Sequence, residues 1–526
     1  MAGSPLALIR RFLRRGFEIA ERGLERLFGP DASPLTQLGA IGFFLFWVVA
    51  VSGIYLYIFF STSVGDAYQS VERLTSAQWY AGGVMRSFHR YASDMFVIVV
   101  LLHMMREFSL DRYRGAHWFS WLTGAPILWL MYASGITGYW LVWDTLAQYV
   151  AIASSEWLDW LPIFGEPIAR NFLTPESLTD RFFTLLVFLH IAVPLVLLFV
   201  MWLHLQRLSR PRVNPPRALA AAILAMLLGV SLVHPASSQG AADLAMMPAP
   251  VKLDWFYLAI FPLFQEWSYG AVWTLVGGTT LALCLAPWLP RLRRPPPAVV
   301  DVAHCNGCGR CVEDCPYSAV ALGPRTDGSK FDRQAMVNPS LCVSCGICMG
   351  ACPSSTPFRR SSELATGIDL PDLSLSTLRH RTHEAAERAR LGARMLAFGC
   401  DHGADVMALE ADGVGAVKVR CVAMVPPPLI DYALSRGLAD GVVFAGCAGG
   451  ACFYRHGAAW LKQRIARTRD PYFRLRVPRE RLAVVWSAPT EVSRLRQEAR
   501  AFRTRLSILS STTQTPVARI EGEAAS

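Results

Sequence analysis

Apolar residues dominate the first 290 positions in six long runs, near 36–60, 83–107, 119–141, 182–207, 217–235 and 268–289, divided by short polar turns. Each run is close to the roughly 20 apolar residues a helix needs to cross a bilayer, so the pattern predicts six transmembrane helices. Ahead of them, residues 9–28 (IRRFLRRGFEIAERGLERLF) mix apolar and charged positions at helical spacing. This stretch is too charged to span and predicts an amphipathic helix on the membrane surface. It lacks the continuous apolar core and small-residue cleavage site of a signal peptide. After the proline-rich stretch RRPPPAVV the pattern changes. From about 393 to 510, MLAFGC, AVKVRC, GVVFAGC and LAVVWS read as strands separated by helices, which predicts a parallel α/β sheet.

Composition agrees with a composite chain. At 526 residues, 53% hydrophobic and 17% charged, it is too apolar to be wholly soluble. The formal charge of +11 reports topology. Arg10, Arg11, Arg14 and Arg15, then Arg106, Arg112 and Arg114, then Arg207, Arg210, Arg212 and Arg217, then Arg291, Arg293 and Arg294 fall on one side of a six-helix arrangement. The opposite loops carry Asp66, Glu72, Glu156, Asp159, Glu166, Glu176, Asp180 and Asp243. The positive-inside rule then places both termini and everything after residue 290 in the cytoplasm, with the protein in a bacterial inner membrane. No basic patch interleaved with aromatics points to nucleic acid.

Two histidine pairs share one spacing: His89 with His103, and His190 with His204. Fourteen residues make about 3.9 turns and roughly 21 Å of rise, so both members of a pair share a helix face at two depths. A histidine at membrane depth is costly unless it binds or relays something. Two such helices can hold two stacked haems, His89 with His190 and His103 with His204 as axial ligands. Gly39 and Gly53, and Gly124 and Gly138, repeat the fourteen-residue interval, and backbone without a Cβ would pass each porphyrin closely. The competing reading, satisfied core histidines and packing glycines, suits a single histidine better than eight residues on one ruler.

Residues 35–290 resemble the cytochrome b family of quinol-oxidising complexes, on RSFHRYASDMFVIVVLLH, GITGYWLVWD and FLHIAVPLVLLFVMWLH, the last with Pro194 four residues after His190. The resemblance implies two b-type haems, Arg86 beside a haem propionate, a quinone site and a homodimer. KLDWFYLAIFPLF lies where that family carries P-E-W-Y; Leu253, Asp254, Trp255 and Phe256 replace those four residues. Asp254, Trp255 and Tyr257 are therefore candidates for an outer quinone site, against a plain interfacial turn with an aromatic anchor.

Cys305, Cys308, Cys311 and Cys315 precede Pro316, and Cys342, Cys345, Cys348 and Cys352 precede Pro353. C-x2-C-x2-C-x3-C-P twice is the bacterial two-cluster ferredoxin pattern, in which the fourth cysteine of each run serves the other cluster. One 4Fe-4S cluster is expected on Cys305, Cys308, Cys311 and Cys352, and another on Cys342, Cys345, Cys348 and Cys315. Disulfides are disfavoured in cytoplasm, and zinc does not require the third cysteine and proline repeated twice. Cys284 reads as packing, and no C-x-x-C-H occurs for covalent haem attachment.

In the last domain Cys400, Cys421 and Cys447 end predicted strands and Cys452 follows in a glycine-rich loop. Ligands of open α/β sheets gather at strand carboxyl ends, so the four thiols are expected to meet at one metal centre. Buried structural cysteines are the alternative. VKVRC, ADGVVFAGCAGGAC and FYRHGAAW resemble the delta subunit of methyl-viologen-reducing hydrogenases, an iron-sulfur module between a hydrogenase and a flavin-containing reductase; the resemblance implies one 2Fe-2S cluster. His402 and His456 are read as surface or supporting residues rather than ligands, and His380 and His383 as solvated.

The expected fold is thus a membrane all-α region of six transmembrane helices with a di-haem four-helix bundle, a small α+β two-cluster ferredoxin domain, and an α/β parallel-sheet domain. The boundaries are 1–34 for the surface helix, 35–290 membrane, 291–360 ferredoxin, 361–392 connector and 393–526 hydrogenase-delta-like. The leading functional reading is a quinone oxidoreductase subunit carrying electrons from a soluble cytoplasmic flavin or iron-sulfur dehydrogenase, or a ferredoxin-like carrier, to membrane quinone. Two others stand beside it: quinol oxidation outside with potential-driven reduction of a low-potential cytoplasmic acceptor, and a non-catalytic anchor or docking scaffold.

Overall fold

The computed structural model describes the chain apart from residues 1–4, 29–32, 164–166, 168–170, 172, 175–176, 207–212, 247–250, 290–294, 354–363, 390–392, 449–451 and 513–526. The charges assigned to Glu166, Glu176, Arg207, Arg210, Arg212, Arg291, Arg293 and Arg294 lie outside the described residues. The chain divides into two compact units, Met1–Arg291 and Leu292–Ser526.

In the first unit, α1 (Pro5–Phe28) precedes α2 (Leu38–Phe59), α3 (Ala67–Ser76), α4 (Val84–Ser109), α5 (Trp118–Val142), α6 (Thr145–Asp159), α7 (Asp180–Leu205), α8 (Arg217–Val233) and α9 (Tyr269–Leu285). A helix forms over each predicted apolar run, but among the described residues four segments are both long and apolar enough to cross a membrane: Pro34–Phe59, Trp118–Val142, Asp180–Leu205 and Tyr269–Trp288. Of the other two, α4 has the length, at 26 residues, but carries Arg86, Arg90, Asp94, Arg106 and Glu107. α8 is apolar but spans 17 residues. Apolar side chains such as Ile54, Ile58, Phe188, Leu195 and Phe199 face outward, the distribution expected of helices whose surroundings are hydrocarbon.

α2 packs along α4 and α5 along α7. Pro126 and Pro194 lie inside α5 and α7, where packing neighbours tolerate the lost backbone bond. Trp143, in the left-handed conformation at φ 52°, ends α5. Asp144 then caps α6 by accepting from the Ala147 N–H at 2.8 Å. The amphipathic α1 docks on the end of α4, where buried Arg106 donates to buried Glu21 at 2.8 Å.

The second unit opens with two short antiparallel pairs, β1 (Val299–Val300) with β4 (Ile368–Asp369) and β2 (Val320–Pro324) with β3 (Arg333–Val337). α10 (Ile347–Ala351) lies between β3 and β4, and α11 (Leu375–Arg388) follows. β5 (Met395–Cys400), β6 (Gly415–Val419), β7 (Gly441–Cys447) and β8 (Leu482–Ser487) form an all-parallel sheet in the order β6-β5-β7-β8. α12 (Pro427–Ser435) and α13 (Gly457–Ile465) provide crossovers, and α14 (Val492–Thr512) closes the chain. β5 and β7 are fully buried, as strands covered on both faces should be, with Phe398 beside Phe444 in register.

Two expectations need correction. β6 stops at Val419, two residues before Cys421; just past the ladder the Arg420 side chain donates to the Ser344 carbonyl at 2.8 Å and pairs with Asp372. His383 is not simply solvated: its Nε2 lies 3.0 Å from the Tyr432 hydroxyl and the side chain is half-buried. His380 is exposed beside Glu384.

Candidate functional site

The fourteen-residue ruler translates directly into packing. A Cβ built on Gly53 would stand 3.0 Å from Cε1 of His89, on Gly138 2.9 Å from that of His190, on Gly39 3.5 Å from that of His103, and on Gly124 3.8 Å from that of His204. Each histidine of α4 therefore lies against a glycine of α2, and each histidine of α7 against one of α5. Across the bundle, the His89 and His190 rings are 6.3 Å apart between centroids. A metal–imidazole bond of about 2 Å on each side, with about 1 Å from each nitrogen to its ring centre, gives about 6 Å for two axial rings. This pair thus fits a group ligated from both faces.

Hydroxyls fix the rings. Nδ1 of His89 lies 3.0 Å from the Val49 carbonyl and 3.2 Å from the Ser52 hydroxyl. A carbonyl only accepts, so the proton sits on Nδ1 and Nε2 keeps its free lone pair. Thr137 stands 3.2 Å from Nδ1 of His190, and Thr123 3.1 Å from Nδ1 of His204; the Ser134 and Ser120 carbonyls accept from the same rings. In all three cases the hydroxyl residue directly precedes the facing glycine, a signal present in the sequence and missed there. Before Gly39 stands Leu38, which has no hydroxyl to offer.

Arg86, expected beside a propionate, is buried and donates to Glu72 at 3.1 Å and to Ser238 at 2.7 Å. Asp254 accepts from the Tyr139 hydroxyl, lies 3.2 Å from Arg90 and caps the turn at Phe256 N–H. Tyr257 is buried with its hydroxyl 2.6 Å from Ser93, whereas Trp255 is 75% exposed and does not join them. Arg90 in turn donates to Asp94, giving a polar network of α4, α5 and the 254–257 turn. Asp94, Arg90 and Tyr139 had not been singled out from the sequence.

In the second unit one cavity of about 280 Å³ is lined by Cys305, Cys308, Cys311 and Cys352. A tighter one is lined by Cys315, Cys342, Cys345 and Cys348. Each run turns through two left-handed residues at the same offsets, Gly307 and Gly309 in the first and Ser344 and Gly346 in the second. Those turns bring successive thiols around one centre. The Ala319 N–H donates to the Cys315 sulfur at 3.2 Å. Among the described residues no three His, Cys, Asp or Glu side chains close on a point suited to a single metal ion. Quartets spread around cavities suit a cluster of several irons better than one ion. Burial pushes the thiols of Cys311 and Cys345 up to about 12 and that of Cys352 to about 11, so binding metal there displaces protons.

The remaining four cysteines meet at the carboxyl end of the parallel sheet. The connection from β5 runs to β6 on one side and that from β7 to β8 on the other, so the crevice lies between β5 and β7. Cys400 and Cys447 end those two strands with sulfurs 3.4 Å apart. Cys421 and Cys452 crowd Gly457: a Cβ there would collide with the Cys421 sulfur and lie 3.7 Å from that of Cys452. The Ala458 N–H, at the start of α13, donates to Cys452 at 3.4 Å. His402 stacks on Phe453 at 3.4 Å and His456 packs on Trp460. Cys284 is half-buried in α9.

Comparison with known proteins follows the same order along the chain. Residues 25–211 match the model for cytochrome b/b6/petB, 304–356 that for a 4Fe-4S dicluster domain, and 399–510 that for the methyl-viologen-reducing hydrogenase delta subunit. The chain joins these three modules in series. Cytochrome b of Dictyostelium discoideum is 29% identical over 183 residues, 34% of this chain and 46% of that protein. Cytochrome b of Rhodospirillum rubrum is 30% identical over 178 residues, 33% of this chain and 43% of that one. The chain therefore spans under half the length of these relatives. A chain of a hyperthermophilic respiratory Complex III is similar at 20% identity and TM-score 0.40, covering 48% of this chain and 75% of that chain. The cytochrome b match and the apolar helices make this a multi-pass membrane protein.

Proposed function

We propose that the chain is a membrane electron-transfer subunit that links a cytoplasmic flavin or iron-sulfur donor to the quinone pool. The observation that carries this reading is the facing His89–His190 pair, each ring backed by its own glycine, in a chain that also gathers three cysteine quartets. His89 with His190 holds an outer b haem and His103 with His204 an inner one. Cys305, Cys308, Cys311 and Cys352 hold one 4Fe-4S cluster, and Cys315, Cys342, Cys345 and Cys348 the other. Cys400, Cys421, Cys447 and Cys452 hold a 2Fe-2S cluster. When bound, these groups supply one-electron chemistry; the chain orders them, excludes water and sets their potentials by hydrogen bonds to ligands. All six apolar helices span, the arginine-rich side faces the cytoplasm, and the active form is a homodimer.

Purified full-length protein tests this: a reducible b-type spectrum and about ten cluster irons beside two haem irons per chain are expected. Absence of either overturns the reading. A second direction is favoured by the Asp254 network, which supplies acceptors where a quinol would lose protons. Quinol oxidised there would send electrons inward against an inside-negative potential, at a cost of about 2.3 kcal/mol per charge per 100 mV. In energised vesicles an uncoupler should speed such reduction of the cytoplasmic centres and leave quinone reduction at the inner side unchanged.

A further inference from the structure

We infer that the three cysteine quartets of the second unit form an ordered row, in which the Cys400/Cys421/Cys447/Cys452 site exchanges electrons directly with the Cys315/Cys342/Cys345/Cys348 site, and the Cys305/Cys308/Cys311/Cys352 site is the far, solvent-facing end. This rests on the assignment of iron-sulfur centres proposed above.

Packing makes the first two sites neighbours. At Gly457 a Cβ would meet not only the Cys421 and Cys452 sulfurs but also Cδ1 of Ile347 at 3.5 Å, on the helix that carries Cys348. On the same helix Gly350 lies against the Ala423 carbonyl so closely that no Cβ fits, and one on Gly346 would stand 3.0 Å from Met424. Residues 422–424 directly follow Cys421, so its loop lies flat on α10. Electrostatics agrees with this adjacency: Cys345 is among the groups acting most strongly on buried Cys421.

A ring of donors from the parallel-sheet domain then grips the turn that carries Cys315. Arg455 donates to the Pro316 carbonyl at 2.9 Å, the Trp460 indole to the Asp314 carbonyl at 3.1 Å, and Arg464 to the Asp314 carboxylate at 2.5 Å. Arg464 and Asp314 are both buried. Tyr317, between these elements, lines the tighter cavity, has Arg455 over its ring at 5.0 Å and buries its hydroxyl without a protein partner. That hydroxyl lies in the combined field of Cys345, Arg455, Cys452 and Cys421, groups drawn from both sites and from the arginine over its ring. Within this junction one electron leaves one site and arrives on the other, and no bond or proton needs to change.

The remaining quartet is differently placed. Its cavity is the roomier one, and Cys308 is exposed while Cys345 and Cys348 are buried. An external one-electron partner, a reduced or oxidised iron-sulfur or haem protein surface, therefore has its shortest approach there.

Electron paramagnetic resonance of the reduced full-length protein tests the order. The 2Fe-2S signal should split or broaden as a 4Fe-4S centre is reduced in a potentiometric titration, and the splitting should persist in Cys308→Ser, which alters only the far site. Loss of the splitting in Cys308→Ser overturns the order. So does an unsplit 2Fe-2S signal in wild-type protein whose iron content shows all three centres filled. Absence of any 2Fe-2S signal instead overturns the assignment on which the order rests. A Tyr317→Phe variant gives a second reading: it should shift the potential of one of the two coupled centres and leave that of the Cys308 centre unchanged, and a shift confined to the latter overturns the junction.

Discussion

Gly138 lies so close to His190 that a Cβ would stand 2.9 Å from the ring, while the equivalent distance from Gly124 to His204 is 3.8 Å. The two levels of the bundle thus tolerate added bulk differently. If the bundle holds two haems as proposed, Gly53→Ala and Gly138→Ala should displace the His89 and His190 rings and halve the haem content, whereas Gly39→Ala and Gly124→Ala, at 3.5 and 3.8 Å, should leave it unchanged. Haem per chain after purification measures this. Equal loss at all four positions would contradict the graded contacts.

Thr137 and Thr123 orient His190 and His204 through Nδ1. Removing such an outer partner typically lowers metal affinity about 10- to 100-fold. Thr123→Val and Thr137→Val should each weaken retention of one haem by at least about tenfold in a competition assay with apomyoglobin, without unfolding the bundle. Leu38→Ala, at the level where no hydroxyl exists, should change retention far less.

Arg464 and Asp314 form a buried pair joining residues 150 apart. Breaking a buried pair by removing one partner costs about 3–5 kcal/mol because the other charge is left unpaired. Arg464→Met and Asp314→Asn should each lower the denaturation midpoint of the full chain and speed iron release. The double change Arg464→Met with Asp314→Leu should recover much of that loss. Arg469, which also reaches Asp314, will soften the Arg464 variant more than the Asp314 one.

Asp254→Asn removes the acceptor of Tyr139 and the counter-charge of Arg90. If quinol is oxidised at that turn, haem reduction by added quinol should slow by at least about tenfold, the scale of a lost proton acceptor, with the haem spectrum intact. Unchanged kinetics would leave the turn as an anchor only. Trp255→Ala should have little effect on either measure, since its side chain is largely exposed.

The glycine-backed histidines and the grouped cysteines were legible in the sequence because of their spacing: His89 to His103 repeats from His190 to His204, and the two cysteine runs repeat each other. What remained hidden depends on contacts distant in sequence. α3 and α6 are short helices in loop-like stretches, defined by what they pack against rather than by a long period. The network of Arg90, Asp94, Tyr139 and Asp254 joins three separate segments, and charges on an apolar helix gave no hint of their partners. Cys421 was read as a strand end because AVKVRC alternates up to it, yet the ladder ends where Arg420 turns to Ser344 and Asp372.

The docking of α1 has a consequence for how the chain is made. Glu21 leaves the ribosome 85 residues before Arg106, its buried partner. Until α4 is in place, this helix therefore lacks the Arg106 partner of the carboxylate on the face it will bury, and its final seating must wait for α4. Early translation intermediates, ending before residue 106, should leave this helix accessible to protease, and longer ones should protect it.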